Sequence, residues 1–371
     1  MKHTPPGLGF LDEELEKAKA NALFRVRAVP GNDAVLSYCS NDYLALGRRP
    51  CPSEPSGAGA SRLVSGERVV HGRLEQAAAT LVGQAAALSF NSGYAANVGL
   101  LSSLAGAGDL IVSDALNHAS LIDGARLSRA RVVVVDHLDV NGVALALRER
   151  SFRRAFVVTE SYFSMDADSP DLPALRQICD EYSAALIVDE AHALGVLGDG
   201  GGGLCLAQGV KADAVVGTFG KAFGAGGAFV AGCPALGSWL WNRARSFVFS
   251  TGLSPAIAAA ALEGMEQATR EPWRRLRVHE AANELRVGLQ AMGIKPLGFG
   301  HVIPWLFGEP EDAVRAAESL CAAGIDVRAI RPPSVPEGTS RLRLTVTAAH
   351  SSDEIREALA VICRLQPKAS S

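Results

Sequence analysis

The chain has 371 residues, 48% apolar and 20% charged, with a formal net charge of −3. That mix excludes a mainly disordered or fibrous protein, and so even a charge balance leaves no footprint for nucleic acid or an anionic membrane. At ~100–200 residues per domain, the length allows two or three domains.

Residues 11–29 read as a charged, amphipathic helix followed by a short connection. The segment MKHTPPGLGF before it lacks the apolar core of a signal peptide. From 31 to about 250, apolar strand candidates alternate with helical patterns. The clearest strands are 131–136 (RVVVVD), 155–160 (AFVVTE), 185–190 (ALIVDE), 214–219 (AVVGTF) and 227–232 (GAFVAG). They are short, Val-rich and apolar on both faces, as in a parallel sheet covered by helices on both sides. Residues 222–242 carry no charge over 21 positions, but five glycines and a proline interrupt them. That favours a buried strand with turns over a membrane span. A long helix begins at 254, with Ser254 as N-cap and Pro255 at its first position. Strand candidates at 301–308, 325–330 and 341–348 then alternate with helices, forming a smaller α+β unit. The tail QPKASS is expected to fray. The expected division is 1–40 (helix and connecting segment), 41–253 (large domain) and 254–371 (small domain).

The 38 glycines have no fixed period, which excludes collagen and points to tight loops. The seven cysteines, an odd number without CxxC or Cys/His zinc spacing, read as reduced thiols in a cytoplasmic protein, with no metal site.

Four segments carry chemistry. In GTFGKAFGAGG (217–227) a lysine, Lys221, follows an apolar strand and sits between glycines. A dry loop makes protonation costly, so its pKa falls, which suits Schiff-base chemistry. Val215 and Ala222 break the P-loop pattern. In VDEAHALG (188–195), Asp189 ends a buried strand, the edge where open α/β sheets bind ligands, and His192 follows. A carboxylate there needs a cationic partner. In SFNSGYAANVGLL (89–101) a strand turns into a helix start, which suits phosphate. In SDALNHASLIDG (113–124), His118 lies in a polar loop. Gly198, Gly200 and Gly203 fit a dinucleotide spacing but do not directly follow a strand. No G-x-S-x-G elbow supports a hydrolase.

Together, a phosphate-binding helix start, a ring to stack, a strand-end Asp and a lysine meet the needs of pyridoxal 5′-phosphate (PLP). The lysine takes the aldehyde, and the Asp keeps the pyridine nitrogen protonated so that the ring withdraws electrons. The order of these features resembles fold-type I PLP-dependent enzymes. Nine ordered segments between about residues 20 and 360, among them SNDYLALG, SRLVSGE, NSGYAAN, VVTESYFSMDADSP, TFGKAFGAGGA and IRPPSVPEGTSRLRLTVTAAH, resemble the α-oxoamine synthases.

The resemblance implies an α/β fold-type I transferase, with a mainly parallel central sheet and a smaller C-terminal α+β domain. It implies decarboxylative condensation of L-alanine with a pimeloyl thioester, on CoA or a carrier protein, in biotin biosynthesis. Glycine C-acetyltransferase and 5-aminolevulinate synthase are the alternatives within the family. Lys221 would hold PLP and move the substrate Cα proton. His118 would stack on the ring, Asp189 pair with its nitrogen, and His192 and Ser164 bond its O3′. The backbone of Gly93 and Tyr94 and the hydroxyl of Thr218 would hold the phosphate. In a homodimer with its active site at the interface, Thr251 would reach the neighbour's phosphate. Arg343 would bind the amino-acid carboxylate as a fork. Ser334 and Arg25, with Arg27 close by in sequence, match substrate-contacting positions, and Asn41 and Glu160 match polar residues near the acyl group. Three departures stand out. RRPCPSEPSGAGA compresses a longer helical segment near the acyl entrance. Ala193 stands for Gly, and Ser334 for Thr. A fourth is the run GDGGGGL, in place of a turn that more often contains Arg.

Overall fold

The structure, a computed structural model, describes residue 8 and residues 10–25, 35–50, 52–149 and 151–365. Residues 26–29 of the expected first helix, Arg27, Cys51, most of MKHTPPGLGF and the tail 366–371 lie outside them. In chain order come α1 (Phe10–Ala20), β1 (Leu36–Ser37), a π-helical turn at Arg62–Gly66, α2 (Val69–Leu81), β2 (Ala86–Phe90) and α3 (Gly93–Leu104). Then follow β3 (Leu110–Asp114), α4 (Ala119–Leu127), β4 (Arg131–Val135), α5 (Val140–Arg148), β5 (Ala155–Glu160), α6 (Leu172–Tyr182) and β6 (Ala185–Asp189). After α7 (Gly203–Ala207) come β7 (Ala214–Thr218), β8 (Ala228–Gly232), α8 (Pro234–Arg243), α9 (Arg245–Val248), α10 (Pro255–Arg270) and α11 (Trp273–Ala291). The last elements are β9 (Val302–Gly308), α12 (Pro310–Ala322), β10 (Ile325–Asp326), β11 (Arg328–Ile330), β12 (Ser340–Thr345) and α13 (Ser352–Leu365).

The central sheet has the order β2-β8-β7-β6-β5-β3-β4. The neighbours from β7 to β4 are parallel, and β8 runs antiparallel to both β2 and β7. The loop 219–227 explains the reversal. A parallel return needs a crossover of a dozen or more residues, and this connection is too short for one. Alternate strand residues divide into two cores. Val112, Val157, Leu186, Val188 and Val215 join one cluster, and Ile111, Phe156, Val158, Ile187 and Val216 join the other. This is the period-2 alternation of a sheet covered on both faces. Each such side chain contributes ~1.5–3 kcal/mol by burial. β4 departs from the expected double burial. It is the sheet edge, and Val134 is 64% exposed.

Proline takes a first-turn position in α8, α10 and α12, where its missing N–H costs nothing. Ser254 occupies the N-cap of α10 as expected, but its side chain makes no capping bond. The stretch 222–242 holds β8 and α8, a helix where turns were expected.

The second sheet is antiparallel, in the order β11-β12-β9. The single strand expected over 325–330 is divided, because β10 pairs instead with β1. The segment after β1 stays with this smaller unit: Thr345 N–H donates to Tyr38 O and Ala348 N–H to Tyr43 O, both at 2.8 Å. The described residues of the compressed segment 48–60 form turns and bends without a helix.

Candidate active site

The parallel strands β3, β5, β6 and β7 all end in polar residues: Asp114, Glu160, Asp189 and Thr218. Apolar side chains are buried along the strands, and polar groups appear where the strands run out. Helix starts and loops then converge on that edge, as open α/β sheets require of a ligand site.

Lys221 lies in the turn between β7 and β8. Gly224 N–H donates to Lys221 O at 3.0 Å, closing the turn. Gly224 has φ +61°, and a Cβ there would come within 2.3 Å of the Leu46 carbonyl carbon, so the loop lies directly on Leu46 and Gly47. Burial pulls the Lys221 ammonium down to about 8, against the upward pull of Asp189 and Glu160, with Arg343 adding to the depression.

Asp189 is buried, and its carboxylate is fixed from both sides. Asn97 Nδ2 donates to Oδ2 at 2.7 Å, and Ala191 N–H to Oδ1 at 2.9 Å. His118 caps α4: its Nδ1 accepts from Ser120 N–H at 3.2 Å and lies 2.7 Å from Ser120 Oγ. Its own backbone N–H donates to Glu160 Oε1 at 2.7 Å. Burial, then the nearby Lys221 charge, lowers the imidazole below its ordinary value, with Asp189 opposing. Glu160 is pushed up to about 8, first by burial and then by Asp189.

His192 is buried, and burial followed by the Lys221 and Arg343 charges holds it neutral, well below its ordinary value. Its Nδ1 lies 2.7 Å from Tyr43 Oη. Tyr43 also meets Arg343, whose Nη2 donates to Tyr43 Oη at 3.3 Å. Arg343 Nη1 donates to Asn41 Oδ1 at 3.0 Å, and Nε to Ser164 O at 2.7 Å. These partners are all neutral. A buried guanidinium held only by neutral acceptors is electrostatically incomplete, and a carboxylate completes it.

Glu160, His118, Ser164 and Ser334 share the wall of a cleft of about 440 Å³, with Ile122, Phe163, Met165 and Val335 supplying apolar surface. Arg25 Nη2 reaches Ser334 Oγ at 3.4 Å. Gly93 and Tyr94 open α3 behind the N-cap Ser92, whose side chain takes the Ala95 N–H. The N–H groups of Gly93 and Tyr94 have no acceptor among the described residues. The Tyr94 ring is exposed, and its hydroxyl donates to Asp123 at 2.5 Å. Thr218 Oγ1 donates to Gly227 O at 3.0 Å and accepts from Gly220 N–H at 3.1 Å. Thr251 stands apart in an exposed loop, where its carbonyl accepts from Asn91 Nδ2. Tyr43, Asn97 and Ser120 are the site residues that the sequence reading missed. Asn97 stands among Tyr94, Ser102 and Ser103 as one of several polar residues of α3, so the sequence alone did not single it out.

The aminotransferase class I and II family model matches residues 33–362. The 8-amino-7-oxononanoate synthase of Mycolicibacterium gilvum is 44% identical over 368 residues, covering 96% of each chain. That of Anaeromyxobacter dehalogenans is 44% identical over 349 residues, covering 91% of this chain and 88% of its own. Among solved structures, a serine palmitoyltransferase from Sphingomonas wittichii superposes with TM-score 0.89 at 27% identity, over 97% of both chains. The 8-amino-7-oxononanoate synthase of Francisella tularensis superposes with TM-score 0.75 at 26% identity, over 90% of this chain and 98% of that one. The chain belongs to the aminotransferase class I and II family and, within it, to the 8-amino-7-oxononanoate synthases.

Proposed function

We propose that this protein condenses L-alanine with a pimeloyl thioester, releasing CO₂ and the thiol and forming 8-amino-7-oxononanoate for biotin synthesis. The observation that carries the reading is Arg343, a buried cation whose hydrogen-bond partners among the described residues are all neutral, beside a desolvated lysine. PLP fits the residues present: free N–H groups at the start of α3, a fixed carboxylate at Asp189 and an amine at Lys221. When bound, PLP withdraws electrons from the substrate Cα and makes its C–H bond acidic.

The chain's own groups do the rest. Gly93 and Tyr94 N–H groups and Thr218 Oγ1 take the phosphate, helped by the positive end of α3. Asp189 would hold the pyridine nitrogen protonated, His118 would lie against the ring, and His192 and Ser164 would bond its phenolic oxygen. Arg343 binds the alanine carboxylate and sets which Cα bond faces the ring perpendicularly. Lys221 Nζ, unprotonated, would accept the substrate Cα proton and later return one. Glu160 and Asn41 contact the acyl group, with Arg25 and Ser334 at the outer end of the cleft. The active site is completed in a homodimer, with Thr251 reaching the phosphate bound by the neighbouring subunit. The protein works in the cytoplasm; among the described residues, no helix is long and apolar enough to cross a membrane.

The test is turnover of purified enzyme on pimeloyl-CoA with L-alanine or glycine. Alanine-dependent thiol release, with the expected product seen by mass spectrometry, supports the reading. Turnover of glycine with a short acyl-CoA would transfer the protein to the acetyltransferase or aminolevulinate branch.

A further inference from the structure

We infer that Asn97 and Ser120 form a positioning relay that joins Asp189 to His118 and fixes both groups against the cofactor. This rests on the PLP reading above and adds two residues to it. The relay crosses two helices. Asn97 lies on α3 and Ser120 in the first turn of α4, and both are buried.

Hydrogen placement along the relay follows from what each atom can do. The Asp189 carboxylate only accepts, so the Asn97 atom 2.7 Å from Oδ2 is the amide nitrogen. The same nitrogen gives its second proton to Ser120 Oγ at 2.9 Å. Ser120 Oγ lies 2.7 Å from His118 Nδ1 and can accept from Asn97 while donating its own proton to that nitrogen. Ser120 N–H donates to the same Nδ1 at 3.2 Å. Two donors on one ring nitrogen make it the acceptor, so His118 carries its proton on Nε2. The relay thus sets the rotamer of Asp189 and the tautomer and ring plane of His118 together.

Helix packing brings the two ends into reach. Gly124 on α4 faces α3, and a Cβ there would stand 2.9 Å from Asn97 O and 3.2 Å from Val98 Cα. Only a residue without Cβ allows this approach, and the approach places Asn97 over Ser120. Asn97 Oδ1 has no partner among the described residues. An amide left half unsatisfied in a buried site is retained at a cost, and its donor side is what the site uses.

The experiment uses the PLP-loaded enzyme with ¹⁵N-labelled histidine, the His118 signal being assigned by its loss in His118→Phe. We expect the Nε2–H tautomer in the native enzyme and a mixture of tautomers in Ser120→Ala, with Ser120→Thr restoring the native signal. A native His118 protonated on Nδ1 overturns the relay. In parallel, the PLP dissociation constant is followed by visible absorbance. Asn97→Ala raises it at least about tenfold, the range for a hydrogen bond to a charged group. In the double variant Asn97→Ala/Ser120→Ala it rises by less than the product of the single effects, because breaking either link already releases the other. Multiplicative effects would mean two independent contacts and overturn the proposal. Should Asn97→Ala not fold, the native tautomer and Ser120→Ala still decide. A native protein that binds no PLP would instead overturn the functional reading itself.

Discussion

Arg341 and Arg343 occupy alternate positions of β12, and both grip the same loop. Arg341 Nη1 donates to Met165 O and Asp166 Oδ1, each at 2.7 Å, and Arg343 Nε donates to Ser164 O at 2.7 Å. Two residues apart on a strand is one face. The strand of the smaller sheet thereby holds the loop that follows β5, and the guanidinium of Arg343 is oriented by that loop. Arg343→Lys keeps the charge but loses the fork and its anchoring. The KM for L-alanine should rise about 100-fold, matching one or two charge-assisted hydrogen bonds lost. Steady-state kinetics at saturating thioester measures it. An unchanged KM would count against the carboxylate role.

In the proposed reading, Lys221 takes the cofactor's aldehyde. Its amine, lowered to about 8 by burial, must be unprotonated to attack an aldehyde. The rate of PLP attachment to the cofactor-free enzyme should therefore rise with pH and level off above about 8. Stopped-flow absorbance between pH 6.5 and 9.5 follows this, and Lys221→Ala should abolish the covalent band. A rate still rising steeply at pH 9.5 would show an ordinary lysine.

His137 bridges two carboxylates. Nδ1 lies 2.9 Å from Asp114 Oδ1, and Nε2 3.2 Å from Asp168 Oδ2. Hydrogen bonds and charge from both Asp residues outweigh burial and push the imidazole up to about 10. A folded-state value raised above the unfolded 6.5 stabilises fully below pH 6.5, and the contribution fades as pH rises through about 10. His137→Gln should lose about 2–3 kcal/mol at pH 6.5, allowing for partial exposure of the pair, and almost nothing above pH 10. Urea denaturation of both proteins across that range tests it, and a pH-independent difference would refute the bridge.

Gly124→Ala tests the helix approach. The added methyl meets backbone on α3, which cannot rotate away as a side chain can. Overpacking of this kind costs about 1–3 kcal/mol. Urea midpoints should fall accordingly, and PLP affinity should fall with them as Asn97 shifts.

The layered fold was legible because fully buried parallel strands read as unbroken apolar runs. AFVVTE and ALIVDE became β5 and β6 within a residue of the expected limits. Two features escaped that logic. An antiparallel β8 has the same composition as its parallel neighbours, and only the length of the loop before it separates the two. β4 is as Val-rich as a buried strand yet lies at the edge, since composition does not say which strand comes last. Of the site, Lys221, Asp189 and His118 were legible as residue types placed at strand ends and loops. Asn97, Ser120 and Tyr43 were not. They were found through bonds to residues 92, 23 and 149 positions away, and a polar side chain inside a helix or loop has no local signature of such a partner.

The pairing of β1 with β10 ties residues 36–37 to residues 325–326. During synthesis, the segment carrying Asn41 and Tyr43 emerges from the ribosome nearly three hundred residues before its partner strand does. Every strand of the seven-stranded sheet is complete by residue 232, well before β10 and β12 are made. The joining of Tyr43, Asn41 and Arg343 is therefore a late closure of very high contact order. The proposed site for the amino-acid carboxylate is thus assembled from Asn41, Tyr43 and Arg343, which lie at opposite ends of the chain.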